Sequence, residues 1–402
     1  MKQVARLRFR VATLRCSTLL IAAALCIGVA SAQEPIRIGM LLPMSGGPFI
    51  PVGADVSDGF ELAIQDSGGQ VSGRKILILR EDTNHKPDIA QAKAKKLVFD
   101  DKADFLVGPI GASELTALGS FANQTKTPLI IPNSGDNGVT GSRCTPWVLR
   151  TSFSNDQIVR NMSPWLLKSG YKRVAFIAFD YSAGREIIEG VKKPFVAGGG
   201  TVVSEQYAPF GPISDFGPYL TKIKDEKPDA VFAFIPGSPG VAFVKQYNEF
   251  GLKASIPLTV GGWVISPQNL PAIGDAAAGI VGILNYVPSI DNAENKSFRQ
   301  KFESKFNRPV SEYAAQGYDT GKLIYAALQA TGGKIDDKAA FIKALHGANI
   351  NGTRGPLRID PKTNNIIQDI YIFKAEKLQD KMEFVILDRF RDVQDAPNGC
   401  NL

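Results

Sequence analysis

Short apolar strands alternate with helical stretches from about residue 36 to residue 284, and this alternation limits the possible folds more than any other feature. Runs rich in Val, Ile and Leu are typical of buried strands, whereas apolar residues three or four apart indicate helices. Strict alternation of the two predicts a parallel, doubly wound sheet of the α/β class. In the first part of the chain it predicts strands at 36–42, 75–80, 104–107 and 128–131, with helices at 55–67, 87–100 and 113–124.

The same rhythm then repeats and predicts a second sheet of the same kind. Its strands are expected at 173–179, 201–206, 230–235, 256–260 and 280–284, with helices at 156–169, 182–196, 216–225 and 241–250. After Tyr286 the pattern predicts only helices, at 294–306, 311–330 and 337–345, and then two strands, at 366–373 and 384–387. Because these late segments are too few for a third domain, we expect them to join the two earlier lobes, with a hinge where the chain crosses between them.

The first 32 residues have the three parts of a cleavable export signal. An apolar stretch at 19–29 is too short to span a bilayer, and Ala30-Ser31-Ala32 supplies the small residues that signal peptidase requires. The positive segment before them contains Lys2, Arg6, Arg8, Arg10 and Arg15. We expect cleavage before Gln33 and a periplasmic location. The alternatives are an uncleaved anchor helix and a lipid anchor at Cys26.

Removal of the signal leaves 402 − 32 = 370 residues, enough for two domains with ample cores. The formal charge of +7 also falls, because five of the 46 basic residues lie in the signal and the remaining balance is 41 − 39 = +2. The nearest approach to a basic run, Lys93-Ala94-Lys95-Lys96, is typical of the solvated face of a helix. We therefore expect no nucleic-acid partner.

Two of the four cysteines, Cys144 and Cys400, lie outside the signal. An oxidising compartment favours a disulfide between them, and in the entropic view of disulfides a loop of this length stabilises a fold by up to ~5 kcal/mol. Sequence alone does not establish that they are close, so two unpaired thiols are the alternative.

The usual catalytic and metal-binding patterns are missing from the sequence. A nucleophile elbow needs Gly-x-Ser-x-Gly, which Gly237-Ser238-Pro239-Gly240 does not match. The two histidines, His85 and His346, lie outside any cluster with metal-ligand spacing, and we expect each to be a surface residue or a satisfied core residue. We predict that the protein is not an enzyme and needs no metal and no cofactor.

The loops after the predicted strands are small, rich in hydroxyl groups and nearly free of charge, at 43–47, 108–114, 132–136, 180–184 and 236–240. Ligands of open parallel sheets bind at these carboxyl ends, where helix starts expose N–H groups. Ser113 opens a predicted helix, so its hydroxyl and the following N–H groups favour a carboxylate. The alternative is that Ser113 is only an N-cap, with Glu114 supporting the first turn.

These loops resemble the leucine/isoleucine/valine-binding family of ABC-importer solute-binding proteins, the type I periplasmic binding proteins. The resemblance covers nearly all of 36–387 and rests on the order and spacing of its motifs. These are Met44-Ser45-Gly46, Glu81-Asp82, Val107-Gly108 with Ser113, Ile131-Pro132, Arg150-Thr151, the loop at 180–184, Tyr318-Asp319 and Gly355-Pro356-Leu357.

The resemblance implies two lobes joined by three crossings, which close like a clamshell on a ligand between them. We expect residues 33–152 and 285–355 to form the N-terminal lobe, and residues 153–284 and 356–402 to form the C-terminal lobe. A small ligand and an ABC permease of the inner membrane are the implied partners, and we expect a monomer.

The resemblance also implies the ligand-binding residues. In that family the loops that match Ala112-Ser113 and Asn133-Ser134-Gly135 hold the ligand carboxylate. An aromatic residue near Tyr181 and groups near Gly237 lie on the facing lobe. Phe49 and Trp263 complete the predicted site as flat apolar walls.

The chain departs from the amino-acid binders in the loop after 256–260. They carry an acidic residue there for the ligand ammonium, whereas this loop is Gly261-Gly262-Trp263. An ammonium enclosed without a counter-charge costs on the order of several kcal/mol. We therefore expect a carboxylate with an aromatic body, such as a benzoate or a cinnamate. The alternative is an aliphatic amino acid, with Trp263 in the core and the ammonium on Asp136, Asp180 or Asp319.

A periplasmic sensor or co-receptor with the same clamshell is the alternative to a transport protein. After the signal, no apolar run approaches the ~20 residues of a transmembrane helix, and no DNA-binding helix pair precedes the fold. We therefore expect a separate membrane partner to receive either the cargo or the signal.

Overall fold

The structure, a computed structural model, describes Met1, residues 33–46 and residues 49–402. The predicted export signal, apart from Met1, and part of the predicted loop at 43–47 lie outside these ranges. Within them, no helix has both the length and the apolar character needed to cross a membrane.

The first sheet is parallel except at one edge. Its strands are β1 (Ile36–Leu42), β2 (Gln70–Val71), β3 (Arg74–Asp82), β4 (Phe105–Val107), β5 (Leu129–Ile131) and β6 (Val148–Arg150). They lie in the order β2-β3-β1-β4-β5-β6, and only β2 runs antiparallel to its neighbour. The helices between them are α1 (Ile50–Asp66), α2 (Pro87–Lys95) and α3 (Ala112–Thr125), with a π-helical extension at Lys96–Asp100. Helices on both faces explain why β4, β5 and β6 are buried throughout.

The second sheet begins with parallel strands and ends with antiparallel ones. The parallel strands are β7 (Arg173–Asp180), β8 (Thr201–Pro209), β9 (Ala230–Phe234), β10 (Leu258–Gly261) and β11 (Val281–Leu284). Antiparallel pairing then adds β12 (Asn349–Gly352), β13 (Gly355–Ile359), β14 (Ile366–Leu378) and β15 (Lys381–Val393). The order is β12-β13-β14-β11-β10-β9-β7-β8, with β15 paired to β14.

The remaining helices cover the sheets and join the lobes. They are α4 (Asn155–Val159), α5 (Met162–Lys168), α6 (Ser182–Ala197), α7 (Gly217–Glu226), α8 (Ser238–Glu249), α9 (Leu270–Ile273), α10 (Ala293–Phe306), α11 (Glu312–Ala330) and α12 (Lys338–Gly347). Short 3-10 helices lie at Leu252–Ala254, Gly262–Ile265 and Gly274–Ala277. Helix α11 packs closely along α1, because a Cβ on Gly59 would lie 2.0 Å from the Ala314 carbonyl oxygen and one on Gly317 would lie 2.2 Å from that of Val56.

The prediction of two parallel-sheet lobes is confirmed, but the expectation that only helices lie between residue 286 and residue 366 is wrong. Strands β12 and β13 lie there, and β2 and β6 are also additional to the prediction. These strands are two to five residues long and have no sustained β-branched run, so they form by pairing with a neighbour rather than by their own pattern. The last strand, predicted at 384–387, extends over Lys381–Val393 as half of a long hairpin.

The division of the chain between the lobes stays a prediction, and β13 shows why a single boundary is difficult to draw. Its backbone belongs to the second sheet, yet Leu357 and Ile359 pack in the apolar core around β1 and α1. Cys144 and Cys400 form a disulfide across a sequence separation of 256 residues, which attaches the C-terminal segment to the loop before β6.

The chain passes between the lobes at three places, after β6, after β11 and along β14. Buried polar groups meet there, and Arg354 lies among them with no exposed surface. Its guanidinium donates to the carbonyl oxygens of Thr151 (2.9 Å) and Ser152 (3.1 Å) and to Gln368 Oε1 (2.7 Å). Arg354 Nε also donates to Asp319 Oδ2 at 2.8 Å, so a fully buried ion pair holds the crossings together.

We predict that Asp319→Asn destabilises the protein strongly. The substitution leaves the buried Arg354 charge without its counter-charge, and breaking a buried pair in this way costs about 3–5 kcal/mol. Asp180→Asn is the matched control, because Asp180 pairs with Arg185 at the surface and such pairs contribute less than about 1 kcal/mol. Urea unfolding of the two variants and the native protein measures both values. Equal, small losses would contradict a structural role for the buried pair.

Candidate functional site

A cavity of about 320 Å³ lies where the carboxyl ends of the two sheets face each other. The first lobe contributes residues that follow β3, β4 and β5: His85, Ile110 to Ser113 and Asn133 to Asp136. The second lobe contributes residues at or after the ends of β7, β8, β9 and β10: Tyr181 to Ala183, Phe210, Phe234, Pro236 and Trp263. This is the place where open parallel sheets bind ligands, and the volume suits a small molecule.

The start of helix α3 forms one end of the cavity. Gly111 occupies the N-cap position and has no side chain to cap the helix, so the first N–H groups of α3 have no side-chain acceptor at the cap. Ala112 and Ser113 from this first turn line the cavity. The alternative that Ser113 is only an N-cap is therefore wrong. Glu114 does support the turn, because its Oε2 accepts the Gly111 N–H at 3.1 Å.

Buried side chains form hydrogen bonds with the loop after β5. Arg150 has no exposed surface and donates to the carbonyl oxygens of Ser134 (3.3 Å) and Asp136 (2.6 Å). Asn133 Nδ2 donates to Gln316 Oε1 at 2.6 Å, and the Asn155 N–H donates to the Gly135 carbonyl oxygen at 2.8 Å. The backbone around these small residues is thus fixed before any ligand arrives.

Seven Phe, Tyr and Trp side chains line the cavity: Phe49, Phe153, Tyr181, Phe210, Phe234, Trp263 and Tyr313. The rings of Tyr181 and Phe210 stack with centroids 4.5 Å apart, and Phe234 meets Trp263 edge to face at 5.5 Å. Trp263 keeps only 5% of its surface exposed and belongs to the core of the second lobe, but it also faces the cavity. Trp263 is therefore both a wall of the cavity and a core residue, as the two interpretations of the sequence propose separately.

The structure brings eight of the nine residues predicted for the site to this cavity: Phe49, Ala112, Ser113, Asn133, Ser134, Gly135, Tyr181 and Trp263. Gly237 is not among the lining residues. It occupies the N-cap position of α8 with φ 78°, and the preceding Pro236 lines the cavity instead. Whether these residues bind the ligand stays a prediction.

The three aspartates considered for a ligand ammonium are already paired. Asp319 lies in the buried ion pair with Arg354, and Asp180 pairs with Arg185 outside the cavity lining. Asp136 lines the cavity, but both of its carboxylate oxygens lie 2.7 Å from Arg143 Nη2.

Sequence reasoning missed two ionisable residues of the cavity, His85 and Glu186. The expectation that His85 is a surface or satisfied core residue leaves out its place in the cavity, because its 29%-exposed side chain lies on the cavity wall and its ring packs on Phe49 with centroids 4.5 Å apart. Nothing in the local sequence indicates this. The sequence contains a weak indication that Glu186 faces the cavity. It lies four residues, about one helical turn, after Ser182, so the two residues share one face of α6.

Glu186 is fixed through one of its two carboxylate oxygens. Oε2 accepts from Asn155 Nδ2 at 2.8 Å and from the Asn137 N–H at 3.2 Å, while Oε1 has no hydrogen-bond partner among the described residues. Burial raises the pKa of this carboxyl above its ordinary value. Glu186 therefore supplies the cavity with an acid that no neighbouring cation neutralises directly.

The sequence matches the periplasmic binding protein family over residues 35–381. The chain belongs to this family. A Leu/Ile/Val-binding protein homolog from Brucella suis biovar 1, homolog 6, is 30% identical over 356 residues, which cover 87% of this chain and 90% of that protein. The protein is thus an ABC-type periplasmic solute-binding protein of the leucine/isoleucine/valine-binding family.

Two solved structures of ABC-transporter solute-binding proteins resemble this chain closely. One, from R. palustris in complex with benzoate, is 34% identical, with a TM-score of 0.83 over 92% of this chain and 100% of that one. The other, from Rhodopseudomonas palustris BisB5 in complex with 3,4-dihydroxybenzoic acid, is also 34% identical, with a TM-score of 0.84 over 90% of this chain and 98% of that one.

The residue before Tyr313 of the cavity wall is Glu312, whose carboxyl is fully buried. Neither of its side-chain oxygens has a hydrogen-bond partner among the described residues. Burial raises the pKa of Glu312 from 4.5 to about 8, so the folded protein keeps a proton there that the unfolded chain releases.

We predict that Glu312→Gln stabilises the protein, and more so as the pH rises. The folded pKa lies above the unfolded one, so the native protein loses stability between pH 4.5 and about pH 8, whereas glutamine does not titrate. The difference between variant and native free energies of unfolding should grow by roughly 3–5 kcal/mol over that range and then level off. Urea unfolding at pH 5, 6.5 and 8 measures it, with the exposed Glu383→Gln as control. A difference independent of pH would contradict the buried, protonated carboxyl.

Proposed function

We propose that this protein binds a small aromatic carboxylate in the cavity and delivers it to an ABC permease. The observation that carries the proposal is the combination of aromatic walls with an uncapped helix start in one cavity. Each of these two features suits one part of such a ligand.

The carboxylate suits the first-lobe end of the cavity. The first-turn N–H groups of α3 and the Ser113 hydroxyl offer hydrogen-bond donors, and the helix dipole favours a negative charge at this position. The loop from Asn133 to Gly135 lies beside them and is fixed by Arg150 and Asn155. Hydrogen bonds to a carboxylate are about twice as strong as those between neutral groups, so the donors both orient the ligand and hold it.

The aromatic body suits the second-lobe end. Tyr181, Phe210, Phe234 and Trp263 form a continuous set of rings, with neighbouring centroids between 4.5 and 6.4 Å apart. A flat ligand ring can pack on these faces and edges in the geometries that aromatic pairs prefer. The benzoate and dihydroxybenzoate complexes of relatives 34% identical to this chain support the same ligand class.

Both lobes line the cavity, so a ligand bound there bridges them and favours the closed state. At the edge of the cleft, Gln268 Nε2 of the second lobe donates to Asp55 Oδ2 in α1 of the first lobe at 2.6 Å. A closed molecule places such contacts in one fixed arrangement, and a permease can recognise that arrangement.

We predict that aromatic acids stabilise the protein in a thermal-shift screen. The screen compares four aromatic acids (benzoate, 4-hydroxybenzoate, 3,4-dihydroxybenzoate and cinnamate) with Leu, Ile, Val and Phe. A ligand present at a hundred times its Kd raises the free energy of unfolding by about 2.7 kcal/mol. Trp263→Leu should weaken binding about tenfold through the loss of one aromatic contact, whereas Trp165→Leu, outside the cavity, should not. Stabilisation by aliphatic amino acids alone would overturn the proposed ligand class.

An amino acid is the second candidate ligand, and Glu186 is the observation that favours it. Its Oε1 has no partner among the described residues, and an ammonium near it would be neutralised.

We predict that Glu186→Gln separates the two ligand classes. For an aromatic carboxylate the change removes a negative charge from the cavity, so affinity should stay equal or increase. For an amino acid it removes the counter-charge, and affinity should fall by at least about tenfold. Calorimetry with benzoate and with leucine measures both affinities. Glu189→Gln is the control, since Glu189 lies on the same helix outside the cavity lining and faces Lys192 and Lys193.

A further inference from the structure

His85 is the only Lys, Arg or His among the described residues that line the cavity. The other charged side chains there are the acids Asp136 and Glu186. A carboxylate that leaves water for this cavity meets Glu186 and Asp136, of which only Asp136 is paired with a cation, Arg143, and helix-start N–H groups carry only partial positive charge. His85 is therefore the side chain of this lining that can offer a full positive charge to a carboxylate ligand.

A buried carboxylate lies beside one edge of the His85 ring. Nδ1 lies 3.0 Å from Oε2 of Glu114, and Glu114 has no exposed surface. The ring also lies directly against the start of α3, because a Cβ on Gly111 would fall 2.4 Å from His85 Cε1. Despite the short distance between Nδ1 and Oε2, the geometry does not make a hydrogen bond, and neither ring nitrogen has a hydrogen-bond partner among the described residues. The side chain keeps 29% of its surface exposed.

The backbone that places the ring is strained. Asn84 and His85 have φ values of 49° and 54°, in the left-handed region that side chains other than glycine rarely adopt. Asp82 Oδ1 accepts the Asn84 N–H at 2.8 Å, and Thr83 Oγ1 accepts the His85 N–H at 3.3 Å, so the turn is held in this form. Strain of this kind is concentrated at functional sites.

We propose that His85, which lies beside Glu114, is the cationic partner of the ligand carboxylate and that binding takes up a proton. The inference rests on the proposed function, a carboxylate ligand in this cavity. As an imidazolium, His85 places a positive charge between Glu114 and the ligand, and its Nε2–H can donate to the ligand carboxylate. When the neutral ring carries its proton on Nδ1, the nitrogen nearest to Glu114, Nε2 presents a lone pair, which repels a carboxylate.

Glu114 has a second effect. The positive end of the α3 dipole disfavours a cation at this position, and the Glu114 carboxylate offsets it. The other titratable groups near the ring are Asp82 on β3 and, lining the cavity, Asp136, Tyr181, Glu186 and Tyr313. Asp136 is paired with Arg143, and burial raises the pKa of both tyrosines, so the two phenols stay neutral near neutral pH. Burial also raises the pKa of Glu186, so Glu186 is the group from which the experiment has to distinguish His85.

The test is titration calorimetry with benzoate between pH 5.5 and 8.5, in buffers of different ionisation enthalpy. In the native protein we expect an uptake of up to about one proton per ligand at pH 8, with affinity falling by up to about tenfold per pH unit as the solution becomes more alkaline. His85→Gln should bind at least tenfold more weakly at pH 6 and lose the proton uptake. His346→Gln, the matched control, replaces a histidine outside the cavity that contacts Asn364.

Two results would overturn the role of His85, and a third would refute the proposed function. Benzoate binding by the native protein without proton uptake would overturn the role of His85, and this measurement needs no variant. Loss of the uptake in Glu186→Gln, with its retention in His85→Gln, would assign the proton to Glu186 and overturn it equally. A folded native protein that binds no aromatic acid at any pH would instead refute the proposed function itself.

Discussion

The buried charge of Arg354 constrains the positions of all three segments that join the lobes. Its guanidinium donates to the backbone of the first crossing, to Gln368 in the third and to Asp319 in α11. Asn285 of the second crossing donates to Gln368 and to the Ser152 carbonyl oxygen. Because a buried cation is tolerated only with its partners in place, the three segments keep fixed relative positions. The two sheets therefore face each other across one defined cleft.

The same network reaches the cavity. Asn133 lies in the cavity wall and donates to Gln316, which in turn donates to Asn285 at 3.4 Å. A ligand that contacts Asn133 thus touches the first member of a hydrogen-bond chain that ends at the crossings. Binding and lobe movement share these residues, which gives a physical route by which an occupied cavity can favour one arrangement of the lobes.

The two lobes contribute different proportions of polar groups and aromatic rings to the cavity. The start of α3, Ser113 and His85 line it from the first lobe, whereas most of the aromatic rings and the start of α6 line it from the second. Under the proposed function, a ligand with one charged end and one flat end contacts both halves. Recognition and closure then belong to one event.

Local pattern was sufficient to predict the sheets, the loops at their carboxyl ends and Ser113 at a helix start, because periodicity and turn chemistry are properties of neighbouring residues. Asn133 and Tyr181 were predicted from the resemblance to the family instead. Local pattern did not predict β6, β12 or β13, whose short sequences become strands only by pairing with distant partners. It also missed the place of His85 in the cavity wall, because the Glu114 carboxylate beside its ring lies 29 positions away in sequence. The sequence by itself determined the fold class and the small, uncharged strand-end loops. Only the tertiary structure decided which ionisable groups share the cavity, because that depends on contacts between elements far apart along the chain.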